Sequence, residues 1–307
     1  MSSAGVAPEG AQPTAQRDLS GVPLTPPAAT SGLLEVFRRR YLLKLLVRRE
    51  ISARYDNSVL GLAWSYLMPL TRFCMYYFLF QVMIGRGGSM ENFAVHLFAG
   101  MVIVNYFTET FNSGTRSIMG NKALVRKMSL PREMFPVAAM LVSLYHTLPQ
   151  LGLLIVVGLL QGWTPDPVGM LAVALGFSLV AVLGTGLGLL FSALNVYFRD
   201  FGKLVQVLTM FTNFMVPMMY PYTLVKERFG EGIGHTLYLL NPLAEAVLLM
   251  QRGFWVGTTS DPDATIAEHL PGDLFLRGGL MLLAALVFLG VAQWAFSRLE
   301  AKIPERI

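Results

Sequence analysis

Six apolar runs, each long enough to cross a bilayer, recur along this chain at about 59–84, 93–112, 133–161, 168–196, 204–221 and 274–297. A spanning helix needs ~20 such residues to traverse the ~30 Å hydrocarbon layer. With 54% hydrophobic and only 14% charged residues, the chain carries more apolar surface than one soluble core can bury. The predicted fold class is therefore an all-α membrane protein with six transmembrane helices. The first run starts too late and is too long for the core of a cleaved leader, so insertion through uncleaved spans is expected.

Charge orients these spans. The formal net charge of +5 does not point to nucleic acid, because Lys and Arg sit in short clusters between apolar runs. Eighteen of the 24 fall on one side of a six-span topology, in residues 1–58, 113–132, 197–203 and 298–307. The other side holds Arg86, Lys226, Arg228, Arg252 and Arg277. The positive-inside rule then places both termini in the cytoplasm.

Three regions follow. Residues 1–32 are rich in Ala, Pro, Gly, Ser and Thr and read as a disordered cytoplasmic tail. Residues 33–56 mix bulky apolar side chains with seven Lys or Arg, and Leu34, Phe37, Tyr41 and Leu45 follow helical spacing, which predicts an amphipathic helix on the inner membrane surface. Residues 57–307 form the six-span domain. Within it, the segment from Pro221 to Asp273 contains an apolar, helix-period stretch broken at Asn241-Pro242 and too short to span, so it reads as either outer re-entrant helices or an interfacial helix.

Catalytic machinery is not legible. There is no G-x-x-x-x-G-K-[ST] phosphate loop, and His96, His146, His235, His269 and the single Cys74 lack metal-ligand spacing, so no metal, cofactor or catalytic residue is assigned. Gly184 and Gly188 are spaced for close helix packing within the fourth span. Phe73, Tyr76, Tyr77 and Phe80 stand at i, i+3, i+4 and i+7, a stripe that either packs or stacks on sugar. Arg72 beside them is costly in a span unless it faces a wet cavity, finds a partner or snorkels, with Glu109 as a possible partner. The basic segment 113–132 is a candidate docking loop for a soluble protein.

Four motifs together resemble the polysaccharide-exporting ABC transporter permeases, the family of O-antigen, teichoic acid and galactan exporters. The stretch LVRREISARYDNSVLGLAWSYLMPL (46–70) carries Ser58, Leu60, Gly61, Trp64, Pro69 and Leu70; GNKALVRKMSLPREMFPVA (120–138), ALNVYFRDFGKL (193–204) and LNPLAEAVLLMQRGF (240–254) follow in the family's order. The resemblance implies a homodimeric permease without an ATPase site of its own, bound to two copies of a cytoplasmic ABC ATPase that carries the ATP and Mg2+. Its cargo would be a polyprenyl-diphosphate-linked glycan moved outward across the bacterial plasma membrane. The Ala-, Pro- and Gly-rich composition is most like the mycobacterial galactan exporters, with O-antigen as the alternative cargo. In these terms Arg72, Phe73, Tyr76, Tyr77 and Phe80 are candidate channel residues, and Tyr41, Arg48, Arg49 and Arg54 candidates for receiving the lipid diphosphate. Asn121, Leu124, Val125, Lys127, Met128, Pro131 and Arg132 are candidates for ATPase coupling. A small-lipid or drug exporter of the same architecture and a polyprenyl-lipid-using membrane enzyme are the rival classes.

Overall fold

A computed structural model describes residues 32–55, 61–85, 90–128, 130–230, 232–300 and 303. The expected disordered tail up to residue 31, the motif residues Ser58 and Leu60, and Arg86 lie outside the described residues. Among the described residues every regular element is helical. Near the start stand α1 (Gly32–Arg38), α2 (Arg40–Tyr55) and α3 (Trp64–Tyr77), the last continuing as a π-helical stretch over Phe78–Met83. Then come α4 (Phe93–Gly120), α5 (Lys122–Lys127), α6 (Met134–Leu160), α7 (Pro167–Tyr197) and α8 (Phe201–Thr212). The chain finishes with α9 (Tyr222–Phe229), α10 (Ile233–Leu239), α11 (Pro242–Phe254), α12 (Pro262–His269) and α13 (Leu274–Glu300).

Among the described residues, three helices, α6, α7 and α13, are long and apolar enough to cross a membrane. At ~1.5 Å per residue each is at least ~40 Å long. A fourth candidate is the pair α10 and α11 with its short continuation to Thr258, which is bent by 71°. Here Pro242 starts a helix as well as interrupting one: the Asn241 side chain accepts the Leu243 N–H at 3.0 Å and caps α11. Asp166-Pro167 and Asp261-Pro262 open α7 and α12 in the same way.

The 28-residue α4 is the axis of the bundle, and Val95 through Val104 are buried on every face. It packs against α6, α7, α8 and α11. The predicted glycine seam is where α4 meets α7. A Cβ on Gly188 would lie 3.3 Å from the Gly114 Cα, and one on Gly184 would lie 2.9 Å from Thr110 Cγ2. Main chain faces main chain at Gly114, so a larger side chain there could not be absorbed by a change of rotamer.

The fifth predicted run differs from expectation. Helix α8 stops at Thr212, and 213–221 follow a non-helical path although Val216, Met218 and Met219 are buried. Pro217 and Pro221 remove two backbone donors and block helical continuation. The Gln251 side chain on α11 donates to the Pro217 carbonyl at 2.7 Å, satisfying main chain that the helix would have satisfied itself.

At the end of the bundle opposite α5, side chains replace a regular cap. Arg252 makes two 3.0 Å bonds to the Asp166 carboxylate, Trp163 donates to the Gly253 carbonyl and Trp255 to the Glu91 carbonyl. Burial opposes the Asp166 charge, but Arg252 and the Gly169 N–H outweigh it and hold the carboxyl below its usual range.

Candidate functional site

The α4 sequence carries a polar stripe that helical spacing gathers on one side. Asn105, Thr108, Glu109, Asn112, Ser113, Arg116, Ser117 and Gly120 fall at intervals of three and four residues in the half of α4 that leads to α5. Helix α6 answers with Ser143, His146, Thr147 and Gln150, at i, i+3, i+4 and i+7. The stripes meet: Asn105 donates to Gln150 Oε1 at 3.1 Å, and the Ser113 and Ser143 hydroxyls are 3.2 Å apart. Ser143 and Thr147 also return their hydroxyls to carbonyls four residues earlier, so these two hydroxyls do not stand unsatisfied inside the apolar bundle.

Between these stripes, α2 and the start of α3 lies a cavity of about 1050 Å3. Arg49, Arg54, Arg72 and Arg116 line it, against Glu50 and Glu109. Arg72, singled out in the sequence as needing a wet environment, is exposed on this wall. Its suggested partner Glu109 is engaged elsewhere, by Arg54 of α2 and by His146 Nδ1 of α6 at 3.0 Å. A cavity with more arginines than acids suits an anion with several oxygens, since guanidinium forks match phosphate geometry.

Helices α1 and α2 are two pieces separated at Arg39, where one amphipathic helix was expected. They carry two apolar faces. Val36, Leu43 and Leu46 are buried against the bundle, while the predicted stripe of Leu34, Phe37, Tyr41 and Leu45 points outward, with Tyr41 72% exposed. That outward stripe suits lipid. Arg48 is exposed; Arg49 donates to Asn121 Oδ1 at 2.9 Å and so ties α2 to the corner between α4 and α5.

The segment expected to dock a soluble protein contains a short helix, α5, whose two sides differ. Leu124 and Val125 are half-buried against the protein's own second apolar cluster. Lys122, Ala123, Arg126, Lys127 and Met128 are exposed, Met128 by 47%. Pro131 is buried, and Arg132 donates to the Glu300 carbonyl at the end of α13 at 2.5 Å. The third motif folds the turn between α7 and α8: Asn195 accepts the Gly202 N–H at 2.9 Å and donates to the Thr115 carbonyl at 3.3 Å.

The aromatic stripe lies apart from the cavity. Phe73, Tyr76, Tyr77 and Phe80 are half-buried and turn toward α4, with Phe73 edge-on to Phe98 at 5.1 Å and Tyr77 stacked on Phe93 at 6.4 Å. No residue of α3 is fully buried, and Met75, Phe78, Leu79 and Val82 form its outer surface.

Proteins of known role share this sequence pattern over most of their length. The chain is 27% identical over 234 residues to the O-antigen export system permease protein RfbA of Myxococcus xanthus, which covers 76% of this chain and 87% of that protein. It is 24% identical over 225 residues to the polysialic acid transport protein KpsM of Escherichia coli, 73% and 84% of the two chains. It is 21% identical over 229 residues to the capsule polysaccharide export inner-membrane protein CtrC of Neisseria meningitidis serogroup A, 74% and 83%. The profile of the ABC-2 type transporter family matches residues 41–254, from the surface helix α2 through the polar stripes to the end of α11. By that match the chain belongs to the ABC-2 type transporter family.

Proposed function

We propose that this chain is the permease subunit of an ABC exporter that moves a polyprenyl-diphosphate-linked polysaccharide from the cytoplasm across the bacterial plasma membrane. The observation that carries this reading is the basic cavity beneath α2, where Arg49, Arg54, Arg72 and Arg116 surround a space suited to a diphosphate. The related proteins named above handle O-antigen, polysialic acid and capsule polysaccharide, which favours a glycan cargo. Among such cargoes the galactan precursor of arabinogalactan is the first to test, with O-antigen and teichoic acid as alternatives.

In this reading α3, α4, α6, α7, α8 with its extension, and α13 are the six spans, the bent α10 and α11 are re-entrant, and both termini are cytoplasmic. Two copies of the chain pair through the outer face of α3 and assemble with two cytoplasmic ATPase subunits, which hold ATP and Mg2+. Diphosphate lipid reaches the cavity past α2, whose outward Leu34, Phe37, Tyr41 and Leu45 rest in the inner leaflet with Arg48 at headgroup level. The exposed Lys122, Arg126, Lys127 and Met128 of α5 meet the ATPase, and Arg49 to Asn121 connects that contact to α2.

Affinity purification of the tagged chain from gently solubilised host membranes tests the assembly. An ATPase subunit with a phosphate loop is expected to co-elute at equal stoichiometry. A chain that elutes without one would reopen the reading of a polyprenyl-lipid-using enzyme.

A further inference from the structure

The contact among Arg54, Glu109 and His146 couples three separate helices at one point of the cavity wall. Arg54 of α2 donates to Glu109 of α4, and its guanidinium also lies 2.5 Å from His146 Nδ1 on α6. Glu109 and His146 are themselves 3.0 Å apart. The His146 side chain is only 4% exposed and that of Glu109 22%, whereas Arg54 is 52% exposed and reaches in from the surface helix. One arginine on a peripheral element thus faces a carboxylate fixed in the bundle axis, and the cavity opens directly onto both.

The chemistry of this arrangement is competitive. A guanidinium bound to a carboxylate satisfies the same fork that a phosphate would take. A neutral imidazole Nδ1 either accepts a hydrogen bond or donates one, according to its tautomer. While Arg54 occupies the site, Nδ1 can accept from it. Once Arg54 leaves, cavity water can take the proton from Nε2 and return one to Nδ1, and the Nδ1–H then donates to Glu109, so the carboxylate keeps one hydrogen-bond partner.

We propose that Arg54, Glu109 and His146 form a latch opened by anion exchange: a diphosphate entering the cavity takes Arg54 from Glu109, His146 takes over the carboxylate, and this polar tie of α2 to α4 and α6 is released. This rests on the reading of the cavity as the receiving site for a lipid diphosphate. It assigns Glu109 a role opposite in sign to its neighbours. Glu109 is an internal competitor for the cargo's own arginine, so α2 stays fastened until cargo arrives. A salt bridge that merely held the fold together would give no such opposition.

The test measures binding of geranylgeranyl diphosphate to the full-length chain in nanodiscs of phosphatidylglycerol and phosphatidylethanolamine. Inorganic pyrophosphate and geranylgeraniol serve as competitors. Arg54→Gln should weaken binding about tenfold, and Glu109→Gln should tighten it about tenfold, each change corresponding to one charge-assisted hydrogen bond gained or lost. Glu109→Asp, which keeps the charge but withdraws it from Arg54, should also tighten binding and serves if the glutamine variant does not fold. If Arg54→Gln and the Glu109 variants shift affinity in the same direction, or the Glu109 variants leave it unchanged, the latch is overturned. If no diphosphate binds the wild type or any variant, the receiving-site reading itself fails; binding by the Glu109 variants alone supports the latch. Competition by pyrophosphate as strong as that of the lipid would assign the exchange to a soluble anion, and weaker competition would assign it to a lipid headgroup.

Discussion

Arg72→Gln is expected to lower export of a polyprenyl-diphosphate-linked glycan by roughly tenfold or more, with insertion and ATPase association intact. A hydrogen bond to a charged group contributes about 1.5–3 kcal/mol, and each 1.4 kcal/mol is a factor of ten. Arg72 is exposed on the cavity wall and makes no ion pair among the described residues, so its loss should act on cargo rather than on folding. Arg72→Lys keeps the charge but not the fork and should recover only part of the export rate. Export assays on spheroplasts, with surface glycan read by antibody or lectin, check this; wild-type export by Arg72→Gln would remove the residue from the cargo path.

The second large effect is at the other end of the machine. Met128→Asp should abolish co-purification of the ATPase while the permease still elutes as a single species, because it would place a carboxylate in the contact proposed to bury this apolar side chain. Leaving a charge buried without a partner costs several kcal/mol, enough to dissolve a docking surface the size of one short helix. The change is confined to the outer side of α5, where Met128 is exposed beside Arg126 and Lys127. Val125→Asp would be less informative, since Val125 leans on the permease's own core and its replacement would disturb the fold as well. Undiminished co-purification with Met128→Asp would move the docking contact away from α5.

What could be read from the residues, and what could not, follows from the range of each interaction. Apolar runs and Gly184-x-x-x-Gly188 are local patterns with one dominant outcome, so the long helices and a close helix contact at these glycines are legible in the sequence, whereas the identity of the partner, α4, is not. The fifth run reads as one continuous helix because hydropathy counts Pro217 among apolar neighbours without registering the donor it lacks; the helix break before Pro217 and Pro221 is available in the sequence to a reader of backbone chemistry. The four aromatic residues shared one face as expected, but which way that face turns depends on α4, and periodicity alone carries no such direction.

The polar stripe on α4 is only partly visible as a pattern of residues. Glu109 stood out by its charge, yet Asn105, Thr108, Asn112 and Ser113 recur at the same helical interval and could have been recognised as one wet face. The match with Ser143, His146 and Gln150 of α6 was beyond reach, because the partners are about one helix apart in sequence and only the fold brings them into register. The same holds for Arg54, whose role depends on where α2 is laid down.

Transport into inverted membrane vesicles separates a glycan-lipid exporter from its rivals. The chain and its co-purified ATPase are reconstituted, a radiolabelled polyprenyl-diphosphate-linked galactan is supplied on the outside, and ATP is added. ATP-dependent accumulation of label in the lumen is expected, lost without the ATPase and strongly reduced in Arg72→Gln, with O-antigen and teichoic acid precursors tested in parallel. Failure to move any of these glycan lipids, alongside ATP-dependent movement of a drug or small lipid, would contradict the glycan-lipid exporter reading.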